Sequence, residues 1–345
     1  MVQRYQFEPL APAEAARWDE LVAPYESREL FHRRAWLDYL TASRGLQIRL
    51  WTIHSNGNTV GYFCGGVLQK GPFRILGSPL KGWGTNFLGP VANRGLDQGA
   101  FLKALDDLAE REHFAAVEIE NPMLRADLME RAGYIGVSQP TYIVSLAASN
   151  TKTIWERINL KSRQKVRKAK RAGLVVNDVD DPAIADEFFD QFVSVLARKK
   201  LFPPYDRTCP HLLIKYLKPT KLLFALRVSH PSAGTIATGL FPRDDKTIYF
   251  WGGASQIDTW NFSPNDLLQW TAMEMAAEAG ITTYNMCGYG YFKSKFGGEL
   301  HQPKRWHKCY SRTARWARRG YEFYFRERIH LRGWWKHTVN GSKRA

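Results

Sequence analysis

The sequence is poor in the features that usually classify a chain at sight. It has four cysteines in 345 residues. Cys64, Cys209, Cys287 and Cys309 stand far apart without a C-x-x-C spacing, which argues against a zinc site or a disulfide framework and for reduced, mostly buried thiols. Long apolar runs are missing too. No stretch approaches the roughly 20 uninterrupted apolar residues of a membrane span, and the opening MVQRYQFEPLAPAEAARWDE has no apolar leader core, so a cytoplasmic protein is expected. Familiar catalytic signatures are absent as well: there is no G-x-S-x-G, no H-E-x-x-H, no G-x-x-x-x-G-K-[ST], and no G-x-G-x-x-G after a strand. No bound metal is expected.

Acid is scarce where base is dense. The chain carries 49 Lys and Arg against 33 Asp and Glu, a net charge of +16. Residues 151–171 hold nine of the basic residues against Glu156 alone, and residues 302–345 hold thirteen against Glu322 and Glu327. The rest of the chain is slightly acidic, so the excess sits in two segments, 152–171 and 304–344. Focused positive fields concentrate anionic ligands and speed their arrival. A phosphate-bearing small-molecule substrate, tRNA or an anionic membrane surface are the partners this pattern suits; a merely solvated basic face is the plain alternative.

Hydrophobic residues at 44% and charged residues at 24% are ordinary globular values, and at about 150 residues per domain the length predicts two domains. Periodicity divides the chain near residue 148, where SLAASNTKT separates an apolar strand from a helix. On the N-terminal side, 47–53, 59–68 and 73–76 read as consecutive strands with Asn-Gly and Gly-Pro turns, followed by a helix over 97–113 and a strand over 115–119. On the C-terminal side, 221–228, 235–240 and 247–251 read as an antiparallel meander, followed by a helix over 264–279 and a strand over 281–286. The shared order predicts two similar α/β (α+β) halves, each a mixed sheet flanked by helices, over 1–147 and 148–312, with a basic aromatic tail over 313–345.

TIWERINLKSRQKVRKAKRAG reads as one helix, with Trp155, Ile158, Ser162, Val166 and Ala169 on a packing stripe, a cationic remainder, and Gly173 to stop it. A further helix is expected over 183–200. Ser263 is expected to cap the helix that follows, with Pro264 in its first turn and Asn265 and Asp266 beside free backbone amides that can hold an anion. The strongest local signal runs from Gly288 to Glu299: glycines at both ends permit close backbone approach to a ligand, Lys293 and Lys295 can hold phosphate or polarise a carbonyl, and Phe292 and Phe296 wall the space.

That segment, YGYFKSKFGGEL, resembles the C-terminal signature of the FemAB-like acyltransferases, whose Acetyltransf_6 or BioF2-like branch shares the GNAT acetyltransferase fold in tandem halves. IWERINLKSRQKVRKAKRAGLVV is similar to that family's basic helix, YFWGGASQIDTWNFSPNDLLQWTAMEMAAEAGITTYNMCGYG to its strand, connection, long helix and strand, and FHRRAWLDYL to the aromatic entry of its first half. No lysine follows soon after Trp36, where peptidoglycan-bridge members carry a substrate-binding one, which speaks against a muramyl-peptide acceptor.

The resemblance implies transfer of an acyl or aminoacyl group from acyl-CoA or aminoacyl-tRNA to an amine of a cell-envelope or polysaccharide precursor. Lys293 and Phe292 align with the family's Phe-Lys pair near the donor, with Tyr291 in support, and Lys161, Arg163, Arg167, Asn265, Asp266, Lys295, Trp251 and Trp36 are the expected substrate or donor contacts. Asp266, Glu274 and His301 are candidate bases, with substrate-assisted proton removal equally open. No Q/R-x-x-G-x-G/A loop for a CoA pyrophosphate is present, so the donor stays open. Residues 302–345 interleave Trp306, Tyr310, Trp316, Tyr321, Phe323, Tyr324, Phe325, Trp334 and Trp335 with their basic residues, a pattern for stacking on RNA or lying at a membrane surface, or simply for the early aromatics completing the second half's sheet. A non-catalytic RNA-binding or membrane-peripheral protein is the alternative reading.

Overall fold

The computed structural model describes residues 4–147, 151–320 and 323. The first strands are β1 (Gln6–Pro9), β2 (Gln47–Ser55), β3 (Asn58–Lys70), β4 (Phe73–Ser78), β5 (Gly89–Ala92), β6 (Ala116–Ile119), β7 (Ile135–Ser138) and β8 (Thr141–Ser145). They are followed by β9 (Val175–Asp178), β10 (Leu223–His230), β11 (Gly234–Pro242), β12 (Thr247–Tyr249), β13 (Gly252–Ser255), β14 (Thr283–Asn285), β15 (Glu299–His301) and β16 (Lys304–Cys309). The expected Asn-Gly turn joins β2 to β3: Asn56 and Gly57 both take positive φ, the geometry that matches the twist of a two-residue hairpin.

Each half repeats one plan. An antiparallel pair (β2–β3, then β10–β11) meets a strand broken in two (β4 and β5, then β12 and β13), a helix follows (Gln98–Arg111, then Pro264–Glu278), and a strand returns parallel to the first piece of the broken one (β6 on β4, then β14 on β12). Asp97 caps the first of these helices by accepting from the Ala100 amide. The predicted meander is therefore corrected at its third strand. Residues 247–251 do not continue beside β11 as one piece, because β12 joins β14 in a different sheet and β13 alone completes the antiparallel set.

A division at residue 148 does not follow the sheets. The eight-stranded N-terminal sheet runs β1-β2-β3-β4-β6-β16-β7, with β5 on β3, so its penultimate place is taken by a strand from the far end of the chain. The reciprocal place in the sheet β12-β14-β8-β15 is taken by β8. Trp306 of β16 is buried among Tyr134, Val117 and Ile119, so the early tail aromatics complete the first half's sheet and not the second's. The halves also share a core in which Trp36, Tyr39 and Leu40 pack with Leu213, Leu217 and Tyr249, and Arg28 donates to both Asp245 oxygens at 2.9 Å.

The basic helix is broken where one helix was expected. Thr151–Arg157 and Leu160–Arg171 are separated at Asn159, whose side chain accepts from the Lys161 amide and starts the second helix. Ile158, Ser162, Val166 and Ala169 are buried as expected, but Ile154 takes the place expected of Trp155, which is half-buried 4.7 Å from the Trp270 ring, and Gly173 terminates the helix at φ +78°. Residues 312–320 form a last helix; apart from Phe323, the remainder of the predicted tail, including Trp334 and Trp335, lies outside the described residues. Among the described residues no helix is long and apolar enough to cross a membrane.

Candidate active site

The site forms where two parallel strands part. β12 and β14 pair for three residues, and the Phe250 amide makes the last rung to the Asn285 carbonyl at 2.9 Å. Beyond it the first strand bends away into β13, while the second turns at Cys287 (φ +50°) and Gly288 (φ +136°). Two strands that separate leave backbone groups facing a gap instead of one another. The Gly288–Glu299 segment leaves the end of β14 along β8, where the Tyr142 amide donates to the Gly288 carbonyl at 3.1 Å, with Tyr291–Ser294 as a single helical turn.

Lys293 sits at the parting. Its ammonium donates to the Met286 carbonyl at 2.5 Å and the Cys287 carbonyl at 3.1 Å, and it lies 5.3 Å from the Phe250 ring centroid. Burial pushes its pKa below the ordinary lysine value, with the Cys287 sulfur pulling weakly the other way. An ammonium has three N–H bonds, so two hold the strand end and one remains to be offered to a ligand. Phe292 packs edge-on to Phe296 with centroids 5.2 Å apart, and Phe296 is fully buried. Tyr291 is 79% exposed, so it borders the site from outside. Lys295 folds back over the Tyr291 ring at 4.5 Å, and its carbonyl accepts from the Asn159 amide at 2.8 Å. The loop is thus fastened to the break in the basic helix, where Gly297, at φ +76°, leaves no room for a Cβ: one would lie 2.8 Å from the Arg157 carbonyl.

Asp266 joins the basic helix from below. It is 4% exposed, its Oδ2 lies 3.8 Å from the Lys165 ammonium, and burial raises its pKa while Lys165, Ser162 and Lys295 oppose the rise. Arg163 is half-buried, Lys161 and Arg167 are exposed, and Arg167 lies 5.6 Å over the Trp155 ring. Asn265 is used structurally, its amide donating to Ser255 Oγ at 2.8 Å. Ser263 does not cap its helix; at φ +60° it lies in the left-handed region and makes no side-chain cap bond, while Pro264 occupies the first turn as expected. Glu274 lies 3.8 Å from Lys170, and His301 is exposed near Glu299 at 3.9 Å. Among the described residues, none of the three candidate bases forms a hydrogen bond or an ion pair with Lys293.

The two tryptophans separate. Trp36 is fully buried, edge-on to Phe31, with its indole N–H committed to Thr85 Oγ1 at 3.0 Å; it belongs to the shared core and not to a substrate surface. Trp251 stands just past the parting, half-buried, 4.8 Å from the Tyr205 ring.

Sequence reasoning missed the groups that the first half contributes. Tyr249 donates its hydroxyl to Glu29 Oε2 at 3.0 Å, and Asn86 donates to the Cys287 sulfur at 3.5 Å. Burial, with Asp244 adding to it, pushes the Glu29 carboxyl up to about 7. Thr141 of β8 ties the loop's start by donating to Asn285 and accepting from the Gly288 amide. No local motif marks these residues, because each acquires its meaning from a partner more than 140 positions away.

Residues 159–295 match a family model described as an acetyltransferase (GNAT) domain. No curated protein matches the sequence. Among solved structures, FemX is similar at 14% identity with a TM-score of 0.70, over 87% of this chain and 96% of that one. A tandem GNAT protein from the clavulanic acid biosynthesis pathway is similar at 11% identity and TM-score 0.52, over 89% and 98%. The C-terminal domain of a putative lysylphosphatidylglycerol synthetase from Agrobacterium fabrum is similar at 15% identity and TM-score 0.54, over 86% and 92%. At these identities the likeness is one of fold.

Proposed function

We propose, starting from an acetyltransferase (GNAT) domain at 159–295 within a tandem GNAT fold, that the protein is an N-acyltransferase moving an acyl or aminoacyl group to an amine at the parting of β12 and β14. The observation that carries the reading is Lys293, a half-buried ammonium fixed by two carbonyls at the strand end with one N–H unspent. The neutral amine of the acceptor attacks the donor carbonyl, and the oxygen that becomes negative needs a preorganised donor. Lys293 is such a donor, and its position is set before any ligand arrives. The C–N bond forms, the donor's C–S or C–O bond breaks, and the amine's surplus proton leaves with the thiol or hydroxyl or through solvent.

The donor is acyl-CoA or aminoacyl-tRNA. The exposed cations Lys161 and Arg167, together with Lys165 and Lys295, supply the positive surface either polyanion needs. FemX and the lysylphosphatidylglycerol synthetase domain are similar in fold, which supports a cell-envelope acceptor and a place near the inner membrane surface.

The test is turnover. Purified protein is offered acetyl-CoA and, separately, aminoacyl-tRNA with a panel of primary amines, and thiol or tRNA release is followed. Lys293→Ala should lower kcat by about 10²–10³, with Lys293→Arg recovering part of it. Full activity in Lys293→Ala would remove the site assignment, and no turnover with either donor class would remove the function.

A further inference from the structure

A cavity lies against the N-terminal sheet. It has a volume of about 480 Å³, within the range of small-molecule sites, and no lining residue belongs to the 159–295 domain. Its floor is one face of the sheet: Leu68 of β3, Phe73 and Ile75 of β4, and Ala116 of β6 alternate along their strands. The opposite face of the same strands, with Val67, Leu76 and Val117, is packed against the first half's core. The roof is the helix over 312–320, which turns Ala314 and Ala317 toward the floor.

A helix laid on a sheet ordinarily fills the interval with large side chains. Here two alanines stand where Leu or Phe would close it, while the helix is held in place by the ion pair from Arg318 to Glu118, at 2.8 Å with Glu118 buried. The hollow is therefore supported and not collapsed, and an apolar hollow of this kind favours an apolar occupant over water. Its rim is cationic. Arg44, Lys70, Lys81 and Arg318 border it against the single carboxylate of Glu118, which already takes Arg318 and the Lys81 amide.

We propose that this cavity binds a single alkyl chain carrying an anionic head, the chain lying between the β3–β4–β6 face and the 312–320 helix, and the head at the Arg44 and Lys81 rim. The inference does not depend on the transferase reading. The same chemistry is offered by a free fatty acid or by one chain of an anionic phospholipid.

The experiment is a fluorescence titration of the full-length chain with cis-parinaric acid. Saturable binding is expected, weakened at least about tenfold, or about 1.4 kcal/mol, by Ala317→Trp, which fills the hollow from an exposed helix position. The methyl ester of the probe should bind more weakly than the acid, and Lys81→Glu should weaken the acid alone. That second variant keeps the test decisive if the first fails to fold. Displacement by dodecanoate identifies a free acid as the source; displacement only by phosphatidylglycerol vesicles identifies a membrane lipid. Absence of saturable binding, equal binding by the folded Ala317→Trp chain, or equal affinity for acid and ester would overturn the proposal. So would tenfold tighter binding after Trp334→Ala and Trp335→Ala, which would identify the chain's own tail as the occupant.

Discussion

The hydroxyl of Tyr249 reaches Glu29 across 220 positions of the chain, at 3.0 Å. The pair sits where the two halves meet, beside His32, whose Nδ1 accepts from the Glu29 amide and whose other ring nitrogen is buried without a partner in the structure.

These groups make stability depend on pH in opposite directions. The Glu29 carboxyl is raised to about 7, so its stabilising contribution is present below about 4.5 and is lost as pH rises to about 7. Burial lowers His32 to about 3, so its contribution is present above about 6.5 and is lost as pH falls toward 3. The two slopes offset each other between about 4.5 and 6.5. Glu29→Gln should leave the His32 slope unopposed and gain on the unmodified protein as pH rises from 4.5 to 7, by on the order of 3 kcal/mol. Denaturant melts at four pH values test this; a pH-independent difference would show that Glu29 does not titrate in that window.

The strand exchange predicts cooperative unfolding. Trp306, carried by the last strand among the described residues, is 3% exposed in the core of the first half. Trp306→Ala should cost about 3–5 kcal/mol and lower the single transition seen by probes in both halves. Two separate transitions in the unmodified protein would contradict the exchange.

Gly297 tests the fastening of the catalytic loop. An alanine there has a strained φ and meets the Arg157 backbone, so Gly297→Ala should cost about 1–3 kcal/mol and should also lower kcat, because it shifts the segment that bears Lys293. A destabilised variant with unaltered kcat would mean that the loop and the lysine move independently.

Salt dependence separates the donors. A tRNA held by the basic helix should show a steep fall of log K with log salt, and Lys161→Ala with Lys168→Ala should reduce the slope by about 1 per residue. Coenzyme A, with few phosphates, should show a shallow slope. A slope unchanged by both substitutions would place the phosphates elsewhere.

Much of the fold was legible locally. The β2, β3 and β4 strands, the Gln98–Arg111 and Pro264–Glu278 helices and the buried stripe of the basic helix follow from periodicity and turn residues, since neighbours in sequence supply the pattern. The exchange was not, because Lys-Arg-Trp-His-Lys-Cys in β16 buries only Trp306 and does not name its partner, and its charge disguised it as tail. The break of residues 247–255 into two strands was hidden for a similar reason: both pieces are apolar, and only the competing strand β14 divides them. Trp36 misled because an aromatic near a motif reads alike whether it faces ligand or core. The cluster around Lys293 was read from the loop, but Glu29, Asn86 and Thr141 carry no local mark of their approach to it.

Chain order has a cost during synthesis. β6 and β7 emerge early, yet the strand that belongs between them is made roughly 170 residues later. At about 5–20 residues per second, the nascent sheet waits on the order of ten to thirty seconds with a slot open along two edges. The first half's sheet therefore stays incomplete until residues 304–309 have been made.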